Sequence, residues 1–511
     1  MINKVNSIAV NWLTSDLIEV EVDINQWLPS FTIVGLPDQW VQESKERLRS
    51  ALKSSWSKLP SSRITVNLAP ADIRKSWPSF DFPIAIGILD AEFDFDKTLL
   101  EKSIFIWELS LNWDLRKISS VLPATIWAKE KGFKNIFVPV SNSLEASVIP
   151  WINVIAVENL SEAIQMLLWR KELKITEKLD LSTKISETLE NKYDFKYVLW
   201  QNFAKRALEI AASGWHNIIM NWPPWSWKTM LSKAFSTILP DLTVDEAIEI
   251  SKIYSISGLL DTDNPLITKR PFRTVHHTAS SVSIIGWWRN AKPWEISLAH
   301  KWVLFLDEIL EFQKSVLEVL RQPLEDWQIT VNRVNASFTY PAKFILVGAM
   351  NPCPCGYLTD PDKDCICSPR QVQNYQSRLS GPLIDRVDIF IEVPKVKTEN
   401  FTIWEKYENS ETSKDIKNRV EKARKIQLKR FAWTKITFNS EMSTKEINKY
   451  CQLDSETENI LKQAVTMMNL SARSYYRILK LARTIADLSS EENIKKEHIL
   501  EALSFRKKEE S

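Results

Sequence analysis

Glycine is nearly missing from this sequence. The chain has 511 residues and only 9 glycines, whereas average usage of roughly 7% would supply about 36. No apolar run approaches the roughly 18 residues of a membrane-spanning helix. The segment Met1 to Trp12 has no basic stretch followed by an apolar one, so no secretory signal is expected. Charge of one sign is also lacking: 66 basic residues stand against 64 acidic ones, a net charge of +2. That balance excludes a chain that coats nucleic acid over its whole surface and confines any such contact to a local patch. Cysteine is scarce, five residues in all, and four of them crowd between Cys353 and Cys367. Such clustering is not the spread framework of a secreted, disulfide-bonded protein. A cytoplasmic protein is the expectation. Core material is ample, with 44% of residues hydrophobic, and the length predicts about three domains.

Tryptophan is in excess, with 22 residues, and many of them stand where glycine belongs. Asn112-Trp113-Asp114 separates apolar segments as Asn-Gly does in a hairpin turn, and Asp326-Trp327-Gln328 does the same ahead of Ile329-Thr330-Val331. Trp287-Trp288-Arg289-Asn290 reads as a polar loop. An indole cannot adopt a positive φ cheaply or let backbone approach a ligand, and glycine does both. We therefore read most or all of these positions as glycine in the protein made by its own cell. Some bacteria translate the UGA codon as glycine, while a common alternative table reads it as tryptophan. Restoring all of them brings glycine to 31, close to the ordinary level. A truly Trp-rich protein is the alternative, and it should carry its surplus on apolar faces rather than in turns. Peptide mass spectrometry of the native protein across 222–227 separates the two.

Residues 1 to about 170 alternate short apolar strands (Leu17–Ile24, Phe31–Val34, Ile64–Leu68) with helical stretches (Val41–Lys53, Pro83–Leu89). Residues 171–195 shift to Lys, Glu, Ser and Thr, a charged linker or solvated helix. Residues 196–395 alternate strands and helices as a parallel α/β domain does. Residues 396–511 read as almost wholly helical, and no internal repeat is visible.

The middle segment carries the chemistry. Ile218-Ile219-Met220 is a short apolar strand, followed by Asn221-Trp222-Pro223-Pro224-Trp225-Ser226-Trp227-Lys228-Thr229-Met230. With glycine at 222, 225 and 227 this is a full phosphate-binding loop between a strand and a helix. Glycines let successive backbone N–H groups curl around phosphate oxygens, and the helix N-terminus adds its positive dipole end. Lys228 would reach the β- and γ-phosphates of ATP, and Thr229 would bind Mg2+. As literally written, three indoles fill that cradle, and weak or absent nucleotide binding is expected. Val303-Leu304-Phe305-Leu306 is a second apolar strand, ending in Asp307 and Glu308. Asp307 would hold the Mg2+ shell, and Glu308 would orient or deprotonate the attacking water. A third strand, Phe344–Met350, ends at Asn351, where an amide can position that water; read alone, Asn351 is equally an Asn-Pro turn. In Leu379–Asp388, Arg386 has the place of an arginine that reaches a neighbouring subunit's ATP, with Arg378 as its competitor.

Longer segments resemble a known family. Arg270–Ser280, Glu295–His300 and Arg378–Asp388 look like the YifB/ComM family of magnesium-chelatase-subunit-I-like AAA+ ATPases. So do Phe31–Asp38, Glu43–Arg47, Asn67–Asp72 and Ser471-Ala472-Arg473 through Leu488, so the resemblance runs from about residue 5 to 505. Departures from the family pattern are nearly all Trp where the family has Gly. The resemblance implies an α/β fold in three parts: a ribosomal-S5/Lon-like α+β domain over 1–170, an AAA+ P-loop core over 196–395 and a helical lid over 396–511. It implies that Asn351 is sensor 1 and that Arg473 is the sensor 2 arginine of the lid, with Arg477 the weaker candidate. It implies a homo-hexameric ring and, from ComM-like members linked to transformation, a DNA branch-migration helicase. Arg289 and Lys292 in Trp287–Trp294, and Arg333 after Asp326, are candidate DNA-facing residues, though ordinary surface basic residues would look the same. An ATPase that remodels a protein partner is the alternative.

Two readings stand apart. Cys353, Cys355, Cys365 and Cys367 form two C-x-C pairs that could hold structural Zn2+ as four thiolates, with reduced thiols as the alternative. Lon-type chemistry would need a lysine to activate Ser79, but the matching position is Leu122, so no peptidase is expected.

Overall fold

A computed structural model describes residues 2–11, 14–26, 28–35, 44–54, 62–71, 80–110, 114–179, 193–198, 201–223, 228–270, 272–279, 295–332, 337–360, 362–394, 410–468 and 470–506. These residues form two compact units, Met1–Glu187 with Thr243–Thr268, and Thr188–Leu242 with Lys269–Ser511.

The first unit is built on strands β1 (Ile2–Asn11), β2 (Thr14–Asn25), β3 (Ser30–Val34) and β4 (Arg63–Ala69). Their order is β1-β2-β4-β3, antiparallel except for β3 beside β4. Alternation sets the faces: Ile64, Val66 and Leu68 of β4 are fully buried while their neighbours are not. Helix α1 (Ser44–Ser54) and the almost wholly apolar α2 (Asp81–Phe93) accompany this sheet. Gly87 of α2 lies so close that an added Cβ would stand 2.6 Å from Val22 Cγ2. A parallel trio follows, β5 (Ser103–Phe105), β6 (Asn135–Pro139) and β7 (Asn153–Val157). Leu122 is fully buried in the helix Val121–Glu130, as an apolar core residue should be; Ser79 lies outside the described residues. Of the charged stretch at 171–195, Ile175 bridges Ile155 and Asp194 caps the single turn Phe195–Tyr197.

The second unit holds a five-stranded parallel sheet. Its members are β8 (Ile218–Asn221), β9 (Phe272–Val275), β10 (Val303–Leu306), β13 (Ile345–Met350) and β14 (Ile389–Glu392). The order is β9-β10-β13-β8-β14, with every pair parallel. Helix α3 (Asn202–Gly214) precedes β8 and α4 (Lys228–Ile238) follows it. β10 and β13 are buried along their whole length, which explains their unbroken apolar runs: a parallel strand covered on both faces has no polar side. The hairpin β11 (Gln328–Asn332) and β12 (Ser337–Pro341) follows a short helix, α6 (Arg321–Asp326). This corrects the turn expected at Asp326-Trp327-Gln328. Trp327 closes that helix in the left-handed conformation rather than linking two strands.

The segment from 410 onward is helical. Helix α9 (Ser413–Arg430) and the amphipathic α10 (Ala472–Leu488) pack on α3, and α11 (Lys496–Ser504) packs on α10. The apolar stripe of α10, with Ile478, Leu481, Ala482 and Ile485, is fully buried in the same core as β8 and β10. Arg430 clamps Asp487 through two hydrogen bonds of 2.7 and 2.5 Å, tying α9 to α10. Among the described residues no helix is long and apolar enough to cross a membrane.

Candidate nucleotide site

Because the sheet is parallel and in register, three strand ends fall at one edge. Asn221 pairs with Met350 and Leu306 pairs with Gly348, so the residues that follow β8, β10 and β13 emerge side by side. Open α/β sheets bind ligands at this carboxyl edge. Lys228, the first residue of α4, reaches across and donates to Asn351 Oδ1 at 2.5 Å. Burial lowers the Lys228 pKa, while the charges of Asp307 and Glu308 oppose that shift. Four residues expected from sequence, Lys228, Asp307, Glu308 and Asn351, are thus brought together. Glu308 has φ 51, and its N–H donates to Asp307 Oδ1 at 3.0 Å.

The flanks of the loop are less complete. Trp222 is fully buried and its N–H donates to Met350 O at 2.9 Å, which pins the loop start to β13. Its indole Nε1 meets no hydrogen-bond partner among the described residues. Pro223 is described, Pro224, Trp225, Ser226 and Trp227 lie outside the described residues, and the Thr229 side chain is likewise outside them. Met230 packs against the core beneath α4.

One partner of this edge, His277, was missed in the sequence; the other, Arg378, was weighed there only as the competitor of Arg386. His277 Nδ1 lies 3.4 Å from Glu308 Oε2. Its signal was the His276-His277 pair just after β9, a strand whose own role was not read. Arg378 donates to Leu310 O at 2.9 Å and to Glu311 Oε2 at 3.1 Å, just beyond Glu308.

The remaining arginines sit elsewhere. Arg386 pairs with Glu325, and Arg473 donates to the same carboxylate at 3.2 Å. The Arg386 carbonyl accepts from Asn217 Nδ2 at 3.3 Å and from Arg477 at 2.9 Å. Asn217 precedes β8, whereas Lys228 follows it. The strand between is four residues long, about 13 Å at roughly 3.3 Å per residue. The structure therefore does not bring Arg386 or Arg473 to the chain's own Lys228; it places them together beyond the amino end of β8. Arg477, the weaker candidate, is committed to Asp388 at 2.5 Å. Burial would raise the Asp388 pKa, but Arg477, His216 and Arg506 hold the carboxyl far below the usual carboxylate range.

The four clustered cysteines also converge. Their Sγ atoms all lie within 4.8 Å of one another, and Cys451 is buried elsewhere in the helical core. Arg289, Lys292 and Arg333 lie outside the described residues.

Tryptophan conformation bears on whether these positions carry glycine. Among the described residues nine non-glycine residues have positive φ, and four of them are Trp151, Trp169, Trp215 and Trp327. Trp107 and Trp215 are fully buried with unpartnered indole N–H groups among the described residues. The Trp107 ring centroid stands 3.5 Å from that of Phe82 at a 44° tilt, closer than the roughly 4.5–7 Å of ordinary aromatic pairs.

Comparison with known proteins matches three family models in chain order. They are "Subunit ChlI of Mg-chelatase" over residues 20–142, "Magnesium chelatase, subunit ChlI" over 194–401 and "Magnesium chelatase, subunit ChlI C-terminal" over 410–506. Competence protein ComM of Haemophilus influenzae is 40% identical over 491 residues, covering 96% of this chain and 94% of that protein. The uncharacterized YifB proteins of Salmonella typhimurium and Escherichia coli are 36% and 37% identical over 489 residues, each covering 96% of this chain and 94% of theirs.

Proposed function

The chain belongs to the YifB/ComM family of magnesium-chelatase-subunit-I-like AAA+ ATPases, and from that premise we propose that it works as a ring-shaped motor that moves branched or single-stranded DNA. Its ATPase character and its use of ATP and Mg2+ come with the family. The observation that supports the chemistry is the convergence of Lys228, Asp307, Glu308 and Asn351 at one edge of a parallel sheet. Two carboxylates and one ammonium at that edge suit a divalent cation bound to a polyphosphate. Asp307 and the Thr229 hydroxyl would hold the Mg2+, which when bound neutralises charge on the β- and γ-phosphates. Lys228 would exchange Asn351 for phosphate oxygens. Glu308 would take up or orient the proton of the attacking water, and the freed Asn351 amide would align that water. Trp222 is the poor fit, since an indole occupies the place of a glycine whose backbone should approach phosphate. The reading therefore requires glycine at 222, 225 and 227.

Arg386 and Arg473 complete the site in the next subunit of a homo-hexameric ring. Their shared position away from Lys228 supports a role in trans, where each would stabilise transition-state charge. Such an arrangement makes hydrolysis depend on assembly. The DNA substrate rests on the family resemblance and on a similar protein named for competence. Zinc enters only as a structural ion on the four cysteines.

The test is the ATPase rate of the protein with glycine at 222, 225 and 227, with and without a four-way DNA junction. Stimulation by the junction supports the DNA motor. A rate indifferent to DNA removes that substrate and turns the search to a protein partner.

A further inference from the structure

We propose that Cys353, Cys355, Cys365 and Cys367 bind one zinc ion, closing the segment between Asn351 and Arg378 into a metal-centred knuckle. Sulfur separations of 3.3 Å (Cys353–Cys355), 3.6 Å (Cys353–Cys365) and 3.5 Å (Cys355–Cys365) are the edges of a small polyhedron. A tetrahedron of thiolates at the usual Zn–S distance of about 2.3 Å has edges of about 3.8 Å. The separations are far beyond the ~2.05 Å of a disulfide. With every Sγ within 4.8 Å of the others, the group encloses one ion.

The first C-x-C pair leads into a tight turn: the Gly356 N–H donates to Cys353 O at 3.0 Å, and Gly356 makes that turn with φ 82. Cys451 stands apart in the helical core, where burial pushes its thiol up to about 12. Four sulfurs without nitrogen or oxygen ligands select zinc over magnesium or calcium, and leave no open position for catalysis. Each Zn–S bond forms as a thiol proton leaves to solvent.

The knuckle has a defined place in the fold. Cys353 follows Asn351 by two residues, and Cys367 leads into helix α7 (Pro369–Gln376). Gln376 Nε2 donates back to Pro352 O at 3.0 Å, so the segment is closed at its far end as well. Arg378 comes next, held on Leu310 and Glu311. The ion would fix the distance between the Asn351 amide and this arginine; that positioning role rests on the nucleotide site proposed above, whereas zinc binding does not.

The test uses the full-length protein stripped of metal under reducing conditions and titrated with Co2+, followed by Zn2+. One equivalent should develop the intense visible and thiolate charge-transfer bands of tetrahedral cobalt, and zinc should bleach them. The protein as purified should carry one zinc per chain, and Cys355→Ser with Cys365→Ser should abolish both signals. Backbone hydrogen exchange at 352–377 should accelerate at least tenfold on zinc removal. A chain that takes up no cobalt, gives an octahedral cobalt spectrum, or is purified with iron in place of zinc overturns the assignment. Zinc binding with unchanged exchange at 352–377 overturns the positioning role alone. Neither result depends on ATP hydrolysis.

Discussion

Trp215 offers a sharp test of what the backbone demands. It closes α3 with φ 61, is fully buried, and meets no partner for its indole N–H among the described residues. Truncating a buried Trp ordinarily costs about 3–5 kcal/mol. At this site two terms oppose that loss. Releasing a side chain from the left-handed region returns roughly 1–2 kcal/mol, and removing an unsatisfied buried donor returns roughly 1–3 kcal/mol. The two nearly cancel the cavity term, so Trp215→Gly should change stability by no more than about 1 kcal/mol. The cleaner comparison is Trp215→Gly against Trp215→Ala. Both remove the indole, but alanine keeps a Cβ in the left-handed region. Glycine should therefore be the more stable by about 1 kcal/mol, which is about 2–4 °C in melting temperature for a domain of this order. The same sign should hold at Trp151, Trp169 and Trp327. Trp433 is 99% exposed without a positive φ, and there the order should reverse, alanine exceeding glycine by about 0.5–1 kcal/mol. Differential scanning calorimetry of the Ala and Gly pairs reads both signs. Alanine more stable than glycine at all four left-handed positions would refute the reasoning.

Further outcomes are expected from the site and its supports. In the protein with glycine at 222, 225 and 227, Glu308→Gln should cut ATP turnover about 10²–10⁴-fold while leaving nucleotide binding within about threefold, measured by steady-state hydrolysis and fluorescent-nucleotide titration. Arg386→Ala should be inactive alone but regain turnover when mixed with Glu308→Gln subunits, because each supplies what the other lacks; no recovery in the mixture would place Arg386 outside the shared site. Asp388→Asn should lower unfolding free energy by about 3–5 kcal/mol at pH 7, since Arg477 and Arg506 would lose their buried counter-charge. The folded Asp388 carboxyl lies well below its unfolded value of about 3.9. Its stabilisation is therefore present above that pH and lost as pH falls further. Denaturant melts should show the wild-type advantage shrinking below about pH 4.

The parallel sheet was legible because buried strands carry unbroken apolar runs; Ile218–Met220 and Val303–Leu306 needed only their length and flanks. The cluster of Lys228, Asp307, Glu308 and Asn351 was legible for a related reason. Each follows a strand end, and parallel strands deliver their ends to one edge. His277 and Glu325 were not legible. Each acts through a partner distant in sequence, Glu308 in one case and Arg386 with Arg473 in the other. No local spacing encodes such pairs. Trp327 was misread as a hairpin turn because a helix cap and a hairpin both call for positive φ, and only the six-residue helix before it decides between them. The family resemblance supplied what the two flanking segments are; composition alone marked only the charged stretch at 171–195.

The central claim is that this chain hydrolyses ATP through a phosphate loop that works only with glycine at positions 222, 225 and 227. The direct measurement is Mg2+-dependent ATP hydrolysis by two purified full-length proteins, one with tryptophan and one with glycine at those three positions. The account predicts turnover from the glycine protein, its loss on Glu308→Gln, and none from the tryptophan protein. A folded glycine protein without turnover, or a tryptophan protein that hydrolyses ATP equally well, would contradict it.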